Sequence, residues 1–262
     1  MIIIFLGTKL VVDDVRLYET FGIMVVSSGI GWKSFPFGVN QEVVEESVSF
    51  NDIPIYQGIN RAPLQFQLRF SKEGEWNVDL RKKFCELIYR KEYYEMYSED
   101  YPYVYYNVIP TDESTRETIS LYQPSVFTIT FKCDAPYGWS RSGVEHFEIN
   151  SPKSPVQIYL ENKSNVCEYV YPSIEIFNKT ENGTFTIKNL SDGDRGFTLS
   201  HLEKDEKVNV NNDYGAIDSS VPNLSRYNDF EGKWLRLKQG RNLIEVQGDC
   251  EINVIGKYGV AL

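Results

Sequence analysis

Two runs of this chain alternate large apolar and polar residues with a period of two, and that alternation limits the fold more than any other feature. Leu64, Phe66, Leu68 and Phe70 are interleaved with Gln65, Gln67 and Arg69, and Phe127, Ile129 and Phe131 with Thr128 and Thr130. Successive strand side chains point to opposite faces, so each run predicts a strand with one face in a core. Aromatic residues favour strands and make up 14% of the chain, with 18 Tyr and 15 Phe, so the fold class is expected to be mainly β. Helical spacing is clear only once. Leu80, Phe84, Leu87 and Ile88 form an apolar stripe, with Asn77 as the N-cap and Asp79 in the first turn. One α-helix is expected at about 77–90, lying on the sheet, because a helix so short does not persist alone in water.

The length of 262 residues suits two domains. Thr8 to Val15, Phe21 to Ser28, Val43 to Phe50, 93–109 and 119–133 read as the remaining strands of the first. Asn150 to Pro155, with two prolines and two serines, reads as a linker, giving domains at 1–150 and 151–262. The second half carries eight short strand patterns, at 156–161, 172–178, 183–188, 196–201, 206–210, 233–237, 242–247 and 251–256. Turn pairs Asn182-Gly183, Asp192-Gly193, Gln239-Gly240 and Gln247-Gly248 separate several of them. That spacing predicts a β-sandwich.

Charge and chemistry exclude more than they indicate. The formal charge is −10, both halves are acidic, and the one tight basic run, Arg81-Lys82-Lys83, lies on the outer face of the expected helix. Stable nucleic-acid binding is not expected, because a phosphate groove needs clustered cations. No apolar stretch approaches the ~20 residues of a membrane span. Met1 to Leu6 is apolar, but Lys9 and Asp13-Asp14 follow too soon for a signal peptide, so a soluble protein made in a cytoplasm is expected. Cys85, Cys133, Cys167 and Cys250 form no CxxC pair and are expected to be free thiols. Sequons at Asn162, Asn178, Asn182, Asn189 and Asn223 are read as turn chemistry. His146 and His201 are the only histidines, so no zinc site is expected, and Asp192-Gly193-Asp194 is too short for a calcium loop. Gly29-Ile30-Gly31-Trp32-Lys33-Ser34 lacks the third glycine of a dinucleotide loop and a following helix. No nucleophile elbow occurs, and nothing selects a glycosidase carboxylate pair. No catalytic, metal or cofactor residue is therefore nominated, and the chain is expected not to be an enzyme. The tyrosines from Tyr89 to Tyr106, with Trp139 and Trp234, read as core or subunit boundary before sugar platform.

Several ordered motifs resemble the distal tail protein family of long, non-contractile-tailed phages. They are Arg61-Ala62-Pro63-Leu64 opening a strand, the helix from Asn77 to Arg90, the aromatic strand Tyr101-Pro102-Tyr103-Val104-Tyr105, and Phe131-Lys132-Cys133-Asp134-Ala135-Pro136-Tyr137 closing another. In the second half, Tyr171-Pro172-Ser173-Ile174-Glu175-Ile176 and Trp234-Leu235-Arg236-Leu237-Lys238-Gln239-Gly240-Arg241-Asn242 are similar to the family's later strands. The resemblance implies an N-terminal β-sandwich or barrel-like domain that builds a hexameric ring around a DNA channel, and a C-terminal galectin-like β-sandwich that serves as a docking platform. It implies a virion tail-tip location after assembly in the host cytoplasm. The implied partners are further copies of the chain, the tail tube protein, the tape-measure protein, the tail-associated (fibre or lysin) protein and a receptor-binding protein. Ile2, Phe5, Tyr101, Tyr103 and Tyr105 are the candidate subunit-interface residues. The alternatives are a carbohydrate-binding module for host cell-wall glycans, a cell-wall glycosidase, and a tail tube subunit, the last disfavoured by the added second domain.

Overall fold

The computed structural model describes residues 9–26, 41–50, 52–74, 76–117 and 125–261. The fold is mainly β and divides into two compact units, one running to Ser140 and taking back Val260 and Ala261, the other spanning Arg141–Gly259.

In the first unit the two alternating runs are partners. Gln65–Lys72 pairs antiparallel with Ser125–Cys133, placing Phe66 opposite Phe131, Leu68 opposite Ile129 and Phe70 opposite Phe127. Directly opposed residues share a face, so the two apolar rows form one continuous layer. The sheet runs in the order Val15–Arg16, Leu10–Val12, Tyr94–Ser98, Tyr101–Glu117, Ser125–Cys133, Gln65–Lys72, Ile23–Val25, with Gly138–Ser140 as a further partner of Tyr101–Glu117. The expected helix forms at Val78–Ile88, which we label α2, and Asn77 Oδ1 accepts from the Leu80 N–H at 2.7 Å. Its Phe84 and Ile88 are buried. Phe84 meets Phe21, Trp76 and Phe127 with ring centroids 5.6 Å apart from each. The helix stops two residues short of Arg90, whose Nε donates to the Leu87 carbonyl at 2.9 Å and satisfies an end that would otherwise lack a partner.

Two expectations for this unit are corrected. The segment read as strand from Phe21 begins instead with the end of a short helix, α1, at Leu17–Phe21. It buries Leu17 and Phe21, four residues apart, and ends on Gly22 in the left-handed conformation (φ +64°). A second helix, absent from the sequence reading, therefore exists. Tyr94–Ser98 and Tyr101–Glu117 are also two strands where one was expected at 93–109.

The second unit is built on one strand of 17 residues, Gly240–Gly256. Along one edge it pairs with Gly143–Asn162. Its other edge changes partner midway, with 244–247 pairing to Gly183–Asn189 and 250–255 pairing to Ser173–Asn178. Arg195–Leu202 and Phe230–Gly232 extend the first side, Lys207–Asn211 and Ala216–Ser219 the second. Phe185, Ile187, Phe197 and Leu199 from one side and Ile174, Ile176, Val208 and Val210 from the other lie in a single buried cluster. The sheet is thus folded over on itself to close one core.

The hinge of that fold corrects two further expectations. Gln247-Gly248 is not a turn between strands, since the chain runs straight through it, and Asn150 to Pro155 is not a linker. They lie in facing strands, where Ser151 pairs with Gly248 and a register shift between Ser151 and Val156 takes up extra residues opposite Gln247. A bulge sharpens local twist and bends the sheet. Gly248 adopts φ +154°, a conformation that residues with a side chain rarely take, and a Cβ there would stand 3.3 Å from the Thr184 carbonyl, a tight approach. The unit boundary falls accordingly at Ser140/Arg141, not near residue 150. The pattern at 233–237 is mostly loop, with strand only at Leu237–Lys238.

Candidate assembly surfaces

An exposed two-stranded arm belongs to the first unit. Glu42–Glu46 pairs with Ile55–Asn60 and, among the described residues, with no other strand. The pairs Val43–Ile59 and Glu45–Tyr56 put four side chains on one face, with Val44, Ile55 and Glu46 on the other. Val43 is 57% exposed, Tyr56 62%, and Ile59 and Ile55 nearly half. Phe50, at φ +70° in the turn, and Ile53 are also exposed. Among the described residues this ribbon carries apolar side chains on both faces and pairs with no third strand, the kind of exposed apolar surface that interaction sites present. The sequence carried that signal. Val43, Val44, Ile53, Ile55, Tyr56 and Ile59 crowd a segment whose alternation is poor, so no polar face is available for solvent.

The nominated interface residues scatter. Ile2 and Phe5 lie outside the described residues. Tyr103 is 71% exposed, Tyr101 half-buried against the first core, and Tyr105 buried at 8%. Tyr105 lies opposite Trp139, where a short strand covers the edge, whereas Tyr103 meets Tyr101 edge-on at 5.8 Å. Period two placed the three rings on one side, but a partner strand covers only part of that side. Trp139 Nε1 donates to Asp134 Oδ1 at 3.1 Å, and Trp234 stacks on Phe230 at 4.4 Å beside the second core.

In the second unit, side-chain hydrogen bonds lock the loops. Arg226 and Glu206 are both buried. Arg226 donates from Nε and Nη2 to the two Glu206 oxygens at 2.8 and 2.6 Å, and from Nη1 to Asp229 at 3.0 Å. Burial alone would raise the Glu206 carboxyl, but hydrogen bonds from Arg226, the Ser219 hydroxyl and the Glu203 N–H outweigh it and hold it below the usual range. Asp229, gripped by Arg226 and His201, is likewise lowered. Asp192 of the Asp-Gly-Asp segment closes a short 3-10 turn, and its carboxylate is held by Arg236 at 2.6 Å and by Lys238. Of the sequon asparagines, Asn162, Asn178 and Asn189 are buried, their amides donating to carbonyls of other segments, and Asn182 and Asn223 sit at positive φ. Asn182 and Asn223 are thus turn residues, as expected, whereas Asn162, Asn178 and Asn189 end strands and tie them to neighbouring segments.

The two buried thiols are inert in their settings. Burial raises the Cys133 and Cys250 thiols, the latter to about 12, so neither forms a thiolate near neutrality. All four cysteines are free. Among the described residues no three His, Cys, Asp or Glu side chains come together as a metal site. No described helix is long and apolar enough to cross a membrane.

Comparison with known proteins agrees with this geometry. Residues 14–135 match the family model for a phage tail protein N-terminal domain, and residues 137–256 the one for a phage tail C-terminal domain. The break between them falls near the structural boundary. The SPbeta prophage-derived protein YomH of Bacillus subtilis (strain 168) is 20% identical over 248 residues, covering 94% of this chain and 95% of its own length. Among solved structures, the Dit (gp 19.1) protein of phage SPP1, described as a hub adsorption apparatus, superposes with a TM-score of 0.69 at 13% identity, covering 95% of this chain and 98% of that one. A chain of the phage P2 baseplate in its activated conformation gives a TM-score of 0.50 at 14% identity over 86% of this chain and 88% of that one. With both of its units matched in order, the chain belongs to the phage tail proteins, and its fold is that of a distal tail hub protein.

Proposed function

We propose that this protein is a structural, non-enzymatic component of the tail tip or baseplate, located in the virion tail, whose copies close into a hexameric hub ring. The first unit builds the ring and its channel. The second, galectin-like unit is the outward platform for tail-associated and receptor-binding proteins, while the ring joins the tail tube and tape-measure tip. What carries the reading is the exposed apolar arm on a chain that has the hub fold over nearly its whole length.

The physical properties support it. Closed rings use heterologous interfaces, in which one patch of each protomer meets a different patch of the next, and an arm that joins neither larger sheet among the described residues can supply one half of such a contact. Each protomer contributes a formal charge of −10, so an acidic channel lets DNA pass without holding it. A platform needs loops that keep their shape, and the buried Arg226–Glu206–Asp229 network fixes them.

The test is the solution mass of the full-length protein by light scattering, followed by negative-stain imaging. A ring of six protomers is expected. A species that stays monomeric at every concentration, alone and with its virion partners, overturns the reading.

A further inference from the structure

One edge strand of the second unit is unlike the strands that end the two larger sheets. Those ends are Val15–Arg16 and Ile23–Val25 in the first unit, and Ala216–Ser219 and Phe230–Gly232 in the second, each two to four residues long. Short edge strands are one way in which proteins prevent unwanted pairing. Gly143–Asn162 instead runs for 20 residues along Gly240–Gly256. Among the described residues no further strand pairs with its Gly143–Ser151 half, and no loop backbone bonds to it. The middle of the strand is guarded by Pro152, Lys153 and Pro155 at the register shift. The run Gly143–Ser151 carries no proline, lysine or arginine. Val144 is 61% exposed, and His146, Glu148 and Asn150 on the same face are exposed. A Cβ on Gly143 would meet nothing within 4 Å. Alternate residues of an antiparallel strand turn their N–H and C=O away from the partner, so every second residue here offers a donor and an acceptor to an added strand.

We infer that this edge takes an added β-strand, and that the strand is an extended cationic segment of a different tail protein. Main-chain bonds of this kind give affinity with little demand on sequence, and side chains at alternate positions select the partner. The charge here is one-sided. The run carries Glu145 and Glu148, and the neighbouring strand sets Glu251 opposite Glu148 and Asp249 opposite Asn150. Lys179, held between Glu148 and Glu251 at 2.8 and 3.0 Å, neutralises only part of it. A second copy pairing edge to edge brings the same carboxylates and no cation in the run. A strand with a Lys or Arg beside Glu148 and an apolar residue beside Val144 is complementary to both. The inference rests on the reading of the second unit as a docking platform, and gives that platform a defined place.

The test uses the full-length protein and a short N-acetylated peptide of alternating lysine and valine. Binding is followed by fluorescence anisotropy and located by amide hydrogen exchange. Slowed exchange within 143–151 is expected. The same peptide N-methylated throughout keeps its charge but cannot donate backbone hydrogen bonds, and is expected to bind at least ~10-fold more weakly. Glu148→Lys, checked for folding by thermal melting, is expected to weaken the lysine peptide by at least ~10-fold and to gain binding of the glutamate–valine counterpart. No binding by the lysine peptide, equal binding of its N-methylated form, or protection outside 143–151 overturns the inference. Exchange within 143–151 that slows with protein concentration alone assigns the edge to a second copy and overturns the choice of partner. The ring is read separately by light scattering, so a hexamer without peptide binding sinks the edge and leaves the ring reading, and peptide protection without a hexamer does the reverse.

Discussion

Buried polar side chains carry more of the second unit's definition than their number suggests. Asn242 accepts from the Lys238 N–H and donates to the Lys238 and Gly240 carbonyls while meeting Asn189, so one side chain closes the turn that feeds the central strand. Arg226 does the same for the loops around Glu206. Arg226→Ala leaves the Glu206 carboxylate buried without its partner, and a loss of ~3–5 kcal/mol is expected in urea denaturation. Lowered folded-state values for Glu206 and Asp229 set the pH dependence. The charged forms are bound in the native state, so their contribution is full above the ordinary carboxylate range, near ~4 in the unfolded chain, and is lost as pH falls through the depressed folded values. Melting temperature is expected to drop below pH ~4, and more shallowly in the Arg226→Ala variant, which has already lost the linkage. A melting curve equally steep in both would contradict it. Gly196 is fixed by space, since a Cβ would stand 1.9 Å from the Ile187 carbonyl of the adjacent strand. Gly196→Ala is expected to cost more than ~2 kcal/mol by the same assay, because the obstruction is backbone and cannot swing away.

At the level of elements, the arm and helix α2 make opposite predictions. Phe84 sits among Phe21, Trp76 and Phe127, and Phe84→Ala is expected to destabilise the first unit by ~3–5 kcal/mol, read by denaturation followed through tryptophan emission. The combined Val43→Ser and Ile59→Ser variant removes apolar surface that is already in water. Its stability is expected to stay within ~0.5 kcal/mol of wild type while self-association falls. Equal losses of stability and association would show that the arm is part of the fold and not of an interface. Elements were legible in the sequence to the extent that their periodicity was. The α2 stripe and the row Leu64–Phe70 stand where spacing put them. The 17-residue strand did not, although its signal was present. Ile244 and Val246 before Gly248 and Ile252 and Val254 after it are all even-numbered, so the phase of the alternation never breaks. Glycine before a polar residue is a turn signal only where the phase is lost, and here it marks a bend inside a strand.

For the whole molecule, the acidic balance predicts how it treats DNA. Electrophoretic mobility shift with linear duplex at low salt, where electrostatic binding is strongest, is expected to show no complex. A retained, salt-sensitive complex would argue against an acidic channel. The amino-acid sequence by itself determined that the chain is mainly β, that a helix lies at about 77–90, and that the rows Leu64–Phe70 and Phe127–Phe131 each have one core face, because alternation and capping are local properties of the backbone. Only the tertiary structure decided where one unit ends at Ser140, why Asn150 to Pro155 is strand and not linker, which of Tyr101, Tyr103 and Tyr105 is covered, and that the arm pairs with no third strand among the described residues. Periodicity states that a face will be buried. It does not say what buries it, since exposure belongs to the neighbours that distant segments bring together.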